Sequence, residues 1–343
     1  MSKSDNATRS PILITGAWRS GTTLMSRILN NHCELSVTYD TVHFMRFAYG
    51  KYDPISNKDN VKRLVHDVSK RLKLRYDIEL NEKEIIHMLD DEVSYASVYN
   101  AVMSSFLLKK PDSNIWGEKT NLAWTKIPGF LEMFPNGTVV HVIRDPRAVL
   151  ASWKNFTNAP GNDYLDSILN CYDSMKSAKE YKKLYDNDNY IVVKYEDLVS
   201  ETEETLISLC QKIGVKFDVS MIDVNSFTGR NGEKWRANTV YDIEIKGISV
   251  EMIDKWKTKL NGWEVFLTEQ LTGSLMGDYG YQLSSSTKKS EYADKAIVEV
   301  QKSNLAAEGL IRYLVKNESF ERYPSDPSDS RNWGTIKNKK IVQ

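Results

Sequence analysis

ILITGAWRSGTTLMSRILNN, residues 12–31, is the stretch of sequence that decides the fold. It opens with a short apolar run, Ile12 to Thr15, and passes through a turn beginning at Gly16 into a helical pattern from Thr22 to Asn31. The apolar residues of that pattern share one helical face: Leu24, Met25, Ile28 and Leu29. Because a short apolar run bounded by turn residues is typical of a buried strand, the segment predicts a strand, a glycine loop and a helix.

Later segments repeat this strand–turn–helix order. The β-branched run Thr138–Ile143 is closed by Arg144-Asp145-Pro146, in which Asp145 is suited to cap a helix and Pro146 to begin it. That helix is predicted to reach about residue 155. A third strand, Tyr190–Lys194, precedes a helical stretch over 201–213.

Shorter signals fill the rest of the chain. A brief strand at Ile115–Trp116 leads into a polar turn at 118–120, and amphipathic helices are predicted around 61–74 and 93–108. Strands alternating with helices predict an α/β fold with a mainly parallel central sheet flanked by helices. Ligands of such sheets bind beyond the carboxyl ends of the strands, where four polar elements are expected to converge: Thr15-Gly16, Lys119, Arg144 and Lys194-Tyr195.

The glycine loop, residues 16–23, has the GxxxxG spacing of a phosphate-binding loop. Backbone N–H groups and a helix N-terminus form a ready anion cradle in such loops. The nucleoside-triphosphate version requires Lys and then Ser or Thr after the second glycine, whereas Thr22 stands where that lysine would be. Arg19 is the cation within the loop, so the loop predicts an anionic ligand other than a standard nucleoside triphosphate.

These residues resemble the 5′-phosphosulfate loop of sulfotransferases that use 3′-phosphoadenosine 5′-phosphosulfate (PAPS). The Arg-Ser-Gly-Thr-Thr order is similar to the protein-tyrosine sulfotransferases and the related bacterial group. Arg144 to Trp153, RDPRAVLASW, looks like the family's 3′-phosphate motif, in which an arginine and a serine eight residues later grip that phosphate. Here they are Arg144, at the strand end, and Ser152, two helical turns further on, and both would face one phosphate if the helix packs beside it.

The resemblance implies a P-loop NTPase-like sulfotransferase fold over residues 11–282, a flexible N-terminus at 1–10, and a linker plus helical C-terminal appendage at 283–343. Within that appendage, residues 291–315 read as one helix. The donor would be bound by a set of loop and strand-end residues: Arg19, Ser20, Gly21, Thr22, Thr23, Arg144, Ser152, Tyr195, Asn238, Thr239 and Lys246. The last three belong to a late segment that looks like the loop closing over the nucleotide, and an ordinary polar connection is the alternative.

The same resemblance suggests the catalytic groups. Arg19 and Lys119 would neutralise the charge on the transferred group and on the departing phosphate. Asp40 lies about twenty residues beyond Arg19, where the tyrosine- and glycan-sulfating branches carry a carboxylate base. His43 is the other candidate base because an imidazole ordinarily titrates near neutrality, and it is also open that neither acts. The histidine used by the cytosolic branch is replaced by Asn121.

The resulting functional expectation is a cytoplasmic, metal-independent sulfotransferase that uses PAPS and a small-molecule or carbohydrate acceptor. The alternatives are a P-loop phosphotransferase, that is, a kinase, and a catalytically silent nucleotide-binding module. The protein-tyrosine enzymes carry a second arginine where Phe156 stands, and they are membrane-anchored, so sulfation of secreted protein tyrosines is not inferred. The acceptor and the oligomeric state are left open.

Composition excludes further classes of protein. The 46 basic and 46 acidic residues balance, which argues against a general nucleic-acid binder. No apolar run approaches the roughly 18 residues needed to span a bilayer. The three cysteines form no CxxC pattern and are expected to be buried thiols in a reducing compartment rather than a metal site.

Overall fold

The computed structural model of the chain describes residues 10–89, 92–107, 110, 112–156, 161–185, 189–228, 248–284 and 289–316. Five strands form one sheet, and each neighbouring pair runs parallel in the order β2-β3-β1-β4-β5. The strands are β1 (Ile12–Gly16), β2 (Leu35–Tyr39), β3 (Ile115–Lys119), β4 (Thr138–Ile143) and β5 (Tyr190–Lys194). The predicted α/β fold with a parallel central sheet is confirmed.

Fourteen helices accompany these strands in the described part of the chain. They are α1 (Thr22–Asn30), α2 (Phe44–Phe47), α3 (Lys58–Tyr76), α4 (Glu82–His87), α5 (Tyr95–Leu107), α6 (Ile127–Met133), α7 (Pro146–Phe156), α8 (Asp166–Leu184), α9 (Tyr195–Ser200), α10 (Thr202–Ile213), α11 (Trp256–Lys259), α12 (Gly262–Asp278), α13 (Lys289–Val300) and α14 (Asn304–Lys316). Short 3-10 turns lie at Trp124–Lys126, Asp163–Leu165, Val219–Ile222 and Val250–Met252.

The two faces of the sheet pack against different helices. Leu13, Trp116 and Val139 face a core shared with α3 and α5. Alternate residues, including Ile14 and Val140, face a second core shared with α1 and α10. Because successive side chains of a strand point to opposite faces, strands covered on both sides are continuously apolar, as β1 and β4 are.

The start of α7 follows the capping rule that its sequence predicts. The backbone N–H of Arg147 donates to Asp145 Oδ1 at 2.8 Å, and Pro146 is the first residue of the helix. Since a proline at this position lacks only an N–H that would have no helical partner, it fixes the helix start without cost to the helix. Arg144, which immediately precedes the cap, is thereby held at the end of β4.

Two strands differ from their predictions. β2 was not predicted, although its Leu35 and Val37 pack against α1. β3 continues to Lys119, so Glu118 and Lys119 belong to the strand and not to a polar turn. They pair in register with Leu13 and Ile14 of β1, and both side chains are buried. Charged residues usually indicate an exposed turn. Both of these side chains instead have polar partners within the fold, so they can be buried in a strand.

The C-terminal region contains two helices, so the prediction of one helix over 291–315 is wrong. Ser303 separates them: its Oγ accepts from the backbone N–H of Ala306 at 3.0 Å, which caps α14. The helices pack on the main body through a small apolar cluster that includes Trp263 of α12 and Val300 of α13. The boundary placed at residue 283 stays a prediction, because packing does not decide whether the region folds separately.

The cysteines follow their prediction only in part. Cys171 and Cys210 are buried free thiols, whereas Cys33 is exposed, so the expectation of burial is wrong for that residue. Cys33 lies in the short connection between α1 and β2, where the chain passes over the surface.

Candidate active site

The carboxyl edge of the sheet brings together polar residues from all five strands. Gly16 and Lys119 end β1 and β3, and Arg144 and Tyr195 follow β4 and β5. Asp40 follows β2, whose last residue is in register with Lys119. This edge is where ligands of parallel sheets bind, and the predicted convergence of strand-end residues is found there.

The glycine loop owes its path to its two glycines. A Cβ on Gly16 would lie 2.3 Å from the carbonyl oxygen of Val142, so β1 and β4 could not remain adjacent. Gly21 has a φ of 102°, and a Cβ there would lie 2.4 Å from Cδ2 of Tyr195. Both positions therefore require glycine for space, and Gly21 requires it for its backbone conformation as well.

Arg19 is the centre of the loop. It adopts a left-handed backbone conformation with a φ of 68°, and its Nε donates to Ser152 Oγ at 2.9 Å. Its carbonyl oxygen accepts from Nη1 of Arg144 at 3.0 Å. Arg144 and Ser152 are thus connected through Arg19, although they lie 125 and 133 positions after it in the sequence. The three residues form one cluster.

Arg144 is nearly buried and is only partly satisfied by the chain. Its Nη2 donates to the carbonyl of Met252 at 2.8 Å, and its Cζ lies 4.1 Å from the centre of the Tyr195 ring. Its Nε is buried and has no hydrogen-bond partner among the described residues. A buried guanidinium with an unused donor fits an anionic ligand, since such a donor is costly unless it is paired.

The start of α1 adds to this preference for anions. The helix begins at Thr22, within the last residues of the loop, and carries no acidic residue in its first turn. The first N–H groups of a helix have no partner within the helix, and the helix dipole makes this end positive.

Lys119 lies opposite the loop. Its side chain is 1% exposed, and its Nζ forms an ion pair with Asp40 Oδ2 at 2.6 Å. When the Asn121 amide is oriented to suit its neighbours, its oxygen accepts from Lys119 Nζ at 3.0 Å and from Trp18 Nε1 at 3.1 Å. Its nitrogen then donates to Thr22 Oγ1 at 2.8 Å. Asn121 therefore connects the lysine to the start of α1.

The turn from Asp40 to His43, the Asp40 turn, has an unusual backbone. Asp40 and His43 have φ values of 46° and 52°, a left-handed conformation that costs a residue with a side chain about 1–2 kcal/mol. Asp40 donates its N–H to the carbonyl of Lys119 at 3.3 Å, so the turn starts from the sheet edge. Its carboxylate is partly exposed, which leaves it accessible from the site.

His43 is buried, and burial is the main reason that its pKa lies well below the usual value. The positive charges of Arg71, Arg46 and Lys119 lower that pKa further. The His43 Nε2 is 3.7 Å from Asp40 Oδ1. Both effects favour the neutral ring in the folded protein, and the choice between Asp40 and His43 as the base stays a prediction.

Comparison with known proteins shows the family of the chain. The profile described as "Sulfotransferase family" matches residues 11–219, which is more than half of the chain and contains Arg19, Asp40, Lys119 and Arg144. The chain belongs to the sulfotransferase family. It is therefore a transferase. No curated protein sequence is significantly similar to it.

Solved structures agree on the fold of this sulfotransferase. The sulfotransferase domain of the olefin synthase from Synechococcus PCC 7002 is 18% identical, with a TM-score of 0.54 over 80% of this chain and 97% of that one. The sulfotransferase domain from the curacin biosynthetic pathway is 16% identical, with a TM-score of 0.57 over 80% of this chain and 99% of that one. At such low identity the likeness concerns the fold alone.

Some predicted site residues cannot be placed. Asn238, Thr239 and Lys246 lie outside the described residues. Within the described ranges, no helix is long and apolar enough to cross a membrane, and His, Cys, Asp and Glu side chains form no group able to hold a metal ion.

Sequence reasoning missed other residues of the site. Asn121 was considered only as a failed base, although its position two residues after Lys119 indicated a place in the site. Trp18 and Trp153 pack with their ring centres 4.9 Å apart beside the glycine loop. Glu118 and Arg71 carried no local signal, because their partners are distant in the sequence.

Proposed function

We propose that this sulfotransferase moves the sulfuryl group of PAPS to a hydroxyl or amine of a small-molecule or carbohydrate acceptor and releases adenosine 3′,5′-bisphosphate. The observation that carries the proposal is the guanidinium of Arg144, which is buried, partly unpaired and bonded to the backbone of Arg19 in the glycine loop. Two guanidinium groups at one sheet edge suit a ligand with more than one anionic group.

The donor is assigned to the glycine loop and its neighbours. Residues 19–23 and the start of α1 would hold the 5′-phosphosulfate, and Arg144 with Ser152 would hold the 3′-phosphate. Tyr195, whose ring packs on Arg144, would border the nucleotide. The late residues Asn238, Thr239 and Lys246 remain predicted to close over it.

The reaction requires one bond to form and one to break. A bond forms between the acceptor oxygen or nitrogen and sulfur, and the bond between sulfur and the 5′-phosphate oxygen breaks. Lys119 and Arg19 would balance the negative charge on the transferred group and on the departing phosphate, as cations do in the related phosphoryl transfers. We propose that these side chains supply the charge without a metal ion.

Asp40 is assigned as the base that takes the acceptor proton. Its Oδ2 accepts from Lys119 Nζ at 2.6 Å, and its Oδ1 lies 3.7 Å from His43 Nε2. The pKa of His43 is lowered mainly by burial, which makes its protonated form unfavourable and the ring a poor base. The Lys119–Asp40 contact supports this assignment, because it would hold the base next to a group that acts on the donor.

Ligand binding tests the donor assignment. We expect adenosine 3′,5′-bisphosphate to raise the melting temperature of the protein and ATP with Mg²⁺ to leave it nearly unchanged, since a ligand that binds the folded state stabilises it. The reverse order would favour a kinase.

Turnover tests the reaction itself. Host metabolites incubated with enzyme and PAPS should show a product heavier by one SO₃ group, which accurate mass separates from a gain of HPO₃. Nucleotide binding without any such product would favour a silent binding module.

A further inference from the structure

A buried carboxylate and a buried guanidinium form hydrogen bonds with the backbone of the Asp40 turn and the residue after it. Glu118, fully buried in β3, accepts from the backbone N–H groups of His43 and Phe44 at the start of α2, the latter at 3.2 Å. Arg71 of α3, 1% exposed, donates from Nη2 to the carbonyl oxygens of Thr41 and Val42. Four consecutive residues are therefore fixed by two side chains from other elements.

A tyrosine completes this support. The hydroxyl of Tyr99 in α5 donates to Glu118 Oε2, and its ring stacks on Phe44 with the centres 4.1 Å apart and the planes 7° from parallel. Burial raises the pKa of Tyr99 well above its usual value, so the hydroxyl keeps its proton and remains a donor. Tyr99 thus contacts both the carboxylate and Phe44, one of the two residues whose backbone N–H groups donate to that carboxylate.

Glu118 also stands next to Lys119 in β3. Since neighbouring strand residues face opposite sides of the sheet, one strand end supplies the ammonium that binds the Asp40 side chain and the carboxylate that binds the backbone after it. The turn adopts a left-handed conformation at Asp40 and at His43, which persists only where the surroundings impose it. Glu118 and Arg71 are groups that impose it here.

We propose that Glu118 is a positioning residue of the transfer reaction, holding the Asp40 turn, with Arg71 and Tyr99, so that the Asp40 carboxylate meets Lys119 and the acceptor. The inference rests on the function proposed above. Glu118 touches neither donor nor acceptor and acts through Asp40. An error of about 1 Å in the position of a catalytic group costs up to about 10²-fold in rate.

The test compares Glu118→Gln with Glu264→Gln. Glutamine keeps the size of Glu118 but places an NH₂ group where a backbone N–H or the Tyr99 hydroxyl donates. Glu264 of α12 is the matched control because it is also fully buried and accepts from a tyrosine hydroxyl, Tyr164 at 2.6 Å, and from a backbone N–H, Asn261 at 2.7 Å. Tyr99→Phe is the milder variant should Glu118→Gln fail to fold, since it keeps the ring stacked on Phe44.

Amide hydrogen exchange reports on the turn without any substrate. In Glu118→Gln the amides of His43 and Phe44 should exchange at least about tenfold faster, because bonds to a charged acceptor are lost. The same amides should keep their rates in Glu264→Gln. Unchanged exchange at His43 and Phe44 in both Glu118→Gln and Tyr99→Phe would overturn the positioning role.

Kinetics distinguish a positioning role of Glu118 from a general contribution to the stability of the protein. With PAPS and 2-naphthol, kcat should fall about 10- to 100-fold in Glu118→Gln, while the affinity for adenosine 3′,5′-bisphosphate stays within about twofold. The loss should nearly vanish when Glu118→Gln is added to Asp40→Asn, because a residue that acts through Asp40 has nothing left to position. A loss that adds in full would overturn the inference. A wild-type protein that did not bind the nucleotide would refute the proposed function itself, a different result from unchanged exchange.

Discussion

The glycine loop and the Asp40 turn lie along the same sheet edge but obtain their shapes differently. The loop is shaped by its own glycines, at positions where a Cβ would collide with Val142 or Tyr195. The turn contains no glycine, and its left-handed residues are held by side chains from β3 and α3. The loop therefore carries glycine at its most crowded positions, whereas the turn, which has no glycine, relies on supporting side chains from other elements.

This difference has a consequence for how each region tolerates change. A substitution in the loop acts where it is made, on the anion cradle. A substitution that disturbs the turn can be made far away in the sequence, at Glu118, Arg71 or Tyr99. The donor side and the acceptor side should therefore be separable by mutation, and the following predictions test that separation.

The largest effect is expected at Asp40. Asp40→Asn keeps the size of the side chain but removes its ability to take a proton, so the transfer rate should fall by roughly 10²–10⁴. Adenosine 3′,5′-bisphosphate should bind with nearly unchanged affinity. Single-turnover transfer from PAPS to 2-naphthol and a nucleotide titration measure the two quantities. A near-normal rate in Asp40→Asn together with a collapse in His43→Gln would move the role of base to His43.

Arg144→Ala should do the reverse, by impairing donor binding. Charge-assisted hydrogen bonds contribute about 1.5–3 kcal/mol, which corresponds to about 10- to 150-fold in affinity. The loss should be large for adenosine 3′,5′-bisphosphate and small for adenosine 5′-phosphate, which lacks the 3′-phosphate. Calorimetric titration with both ligands checks this, and equal losses would show that Arg144 has another task.

Gly21→Ala tests whether the loop is specified by its own backbone. The added Cβ meets the Tyr195 ring, and the φ of 102° is unfavourable for alanine, so we expect a loss of about 2–4 kcal/mol in stability and weaker nucleotide binding. Gly214→Ala is the control, because Gly214 also has a positive φ of 84° but open space around it, and it should lose only about 1 kcal/mol. Equal losses in urea unfolding would mean that the Tyr195 contact does not shape the loop.

The last effect concerns acid and is gradual, because it accumulates over several pH units. Burial lowers the pKa of His141 to about 3, and burial with nearby cations lowers that of His43 well below its usual value. The unfolded chain takes up protons on these rings near pH 6.5 and the folded chain does not. Stability should therefore fall as the pH drops below about 6.5, by up to about 1.4 kcal/mol per pH unit and per histidine.

His43→Gln separates the contributions of the two histidines, because it removes the ring in the Asp40 turn and leaves His141 in place. Its melting temperature should decline less steeply than that of the wild type between pH 7 and pH 5. Parallel declines would indicate that His43 takes up its proton in the folded state.

Much of the loop side could be predicted from the sequence. The strand, the loop and the helix of residues 12–31, together with Arg144 and its cap at Asp145, are local patterns whose physical reasons lie within a few residues. Fold class followed from the repetition of such patterns along the chain. The roles of these residues toward PAPS remain predictions.

The acceptor side could not be predicted to the same extent. Glu118 and Lys119 are predicted to form a polar turn because charged residues rarely occupy buried strands. Partners such as Tyr99, Asp40 and the backbone of the Asp40 turn reverse that preference. Those partners lie 19 to 79 positions away. The break before α14 was missed for a different reason, since Ser303 is a local cap within an otherwise continuous apolar pattern.

The adjacent charges at the end of β3 also mean that the register of this strand decides which charge faces the ligand. Glu118 pairs with Leu13 and Lys119 with Ile14 across the sheet. A shift of one residue would turn each side chain to the opposite face: in one direction the carboxylate would take the place of Lys119 beside the anion cradle, and in the other the ammonium would take the place of Glu118 against Tyr99 and Phe44. Both placements are electrostatically unfavourable. Insertion of a single residue just before Glu118 would therefore present a carboxylate to the ligand in place of the ammonium, and deletion would bury the ammonium against Tyr99, so this short strand tolerates substitution more readily than a change in length.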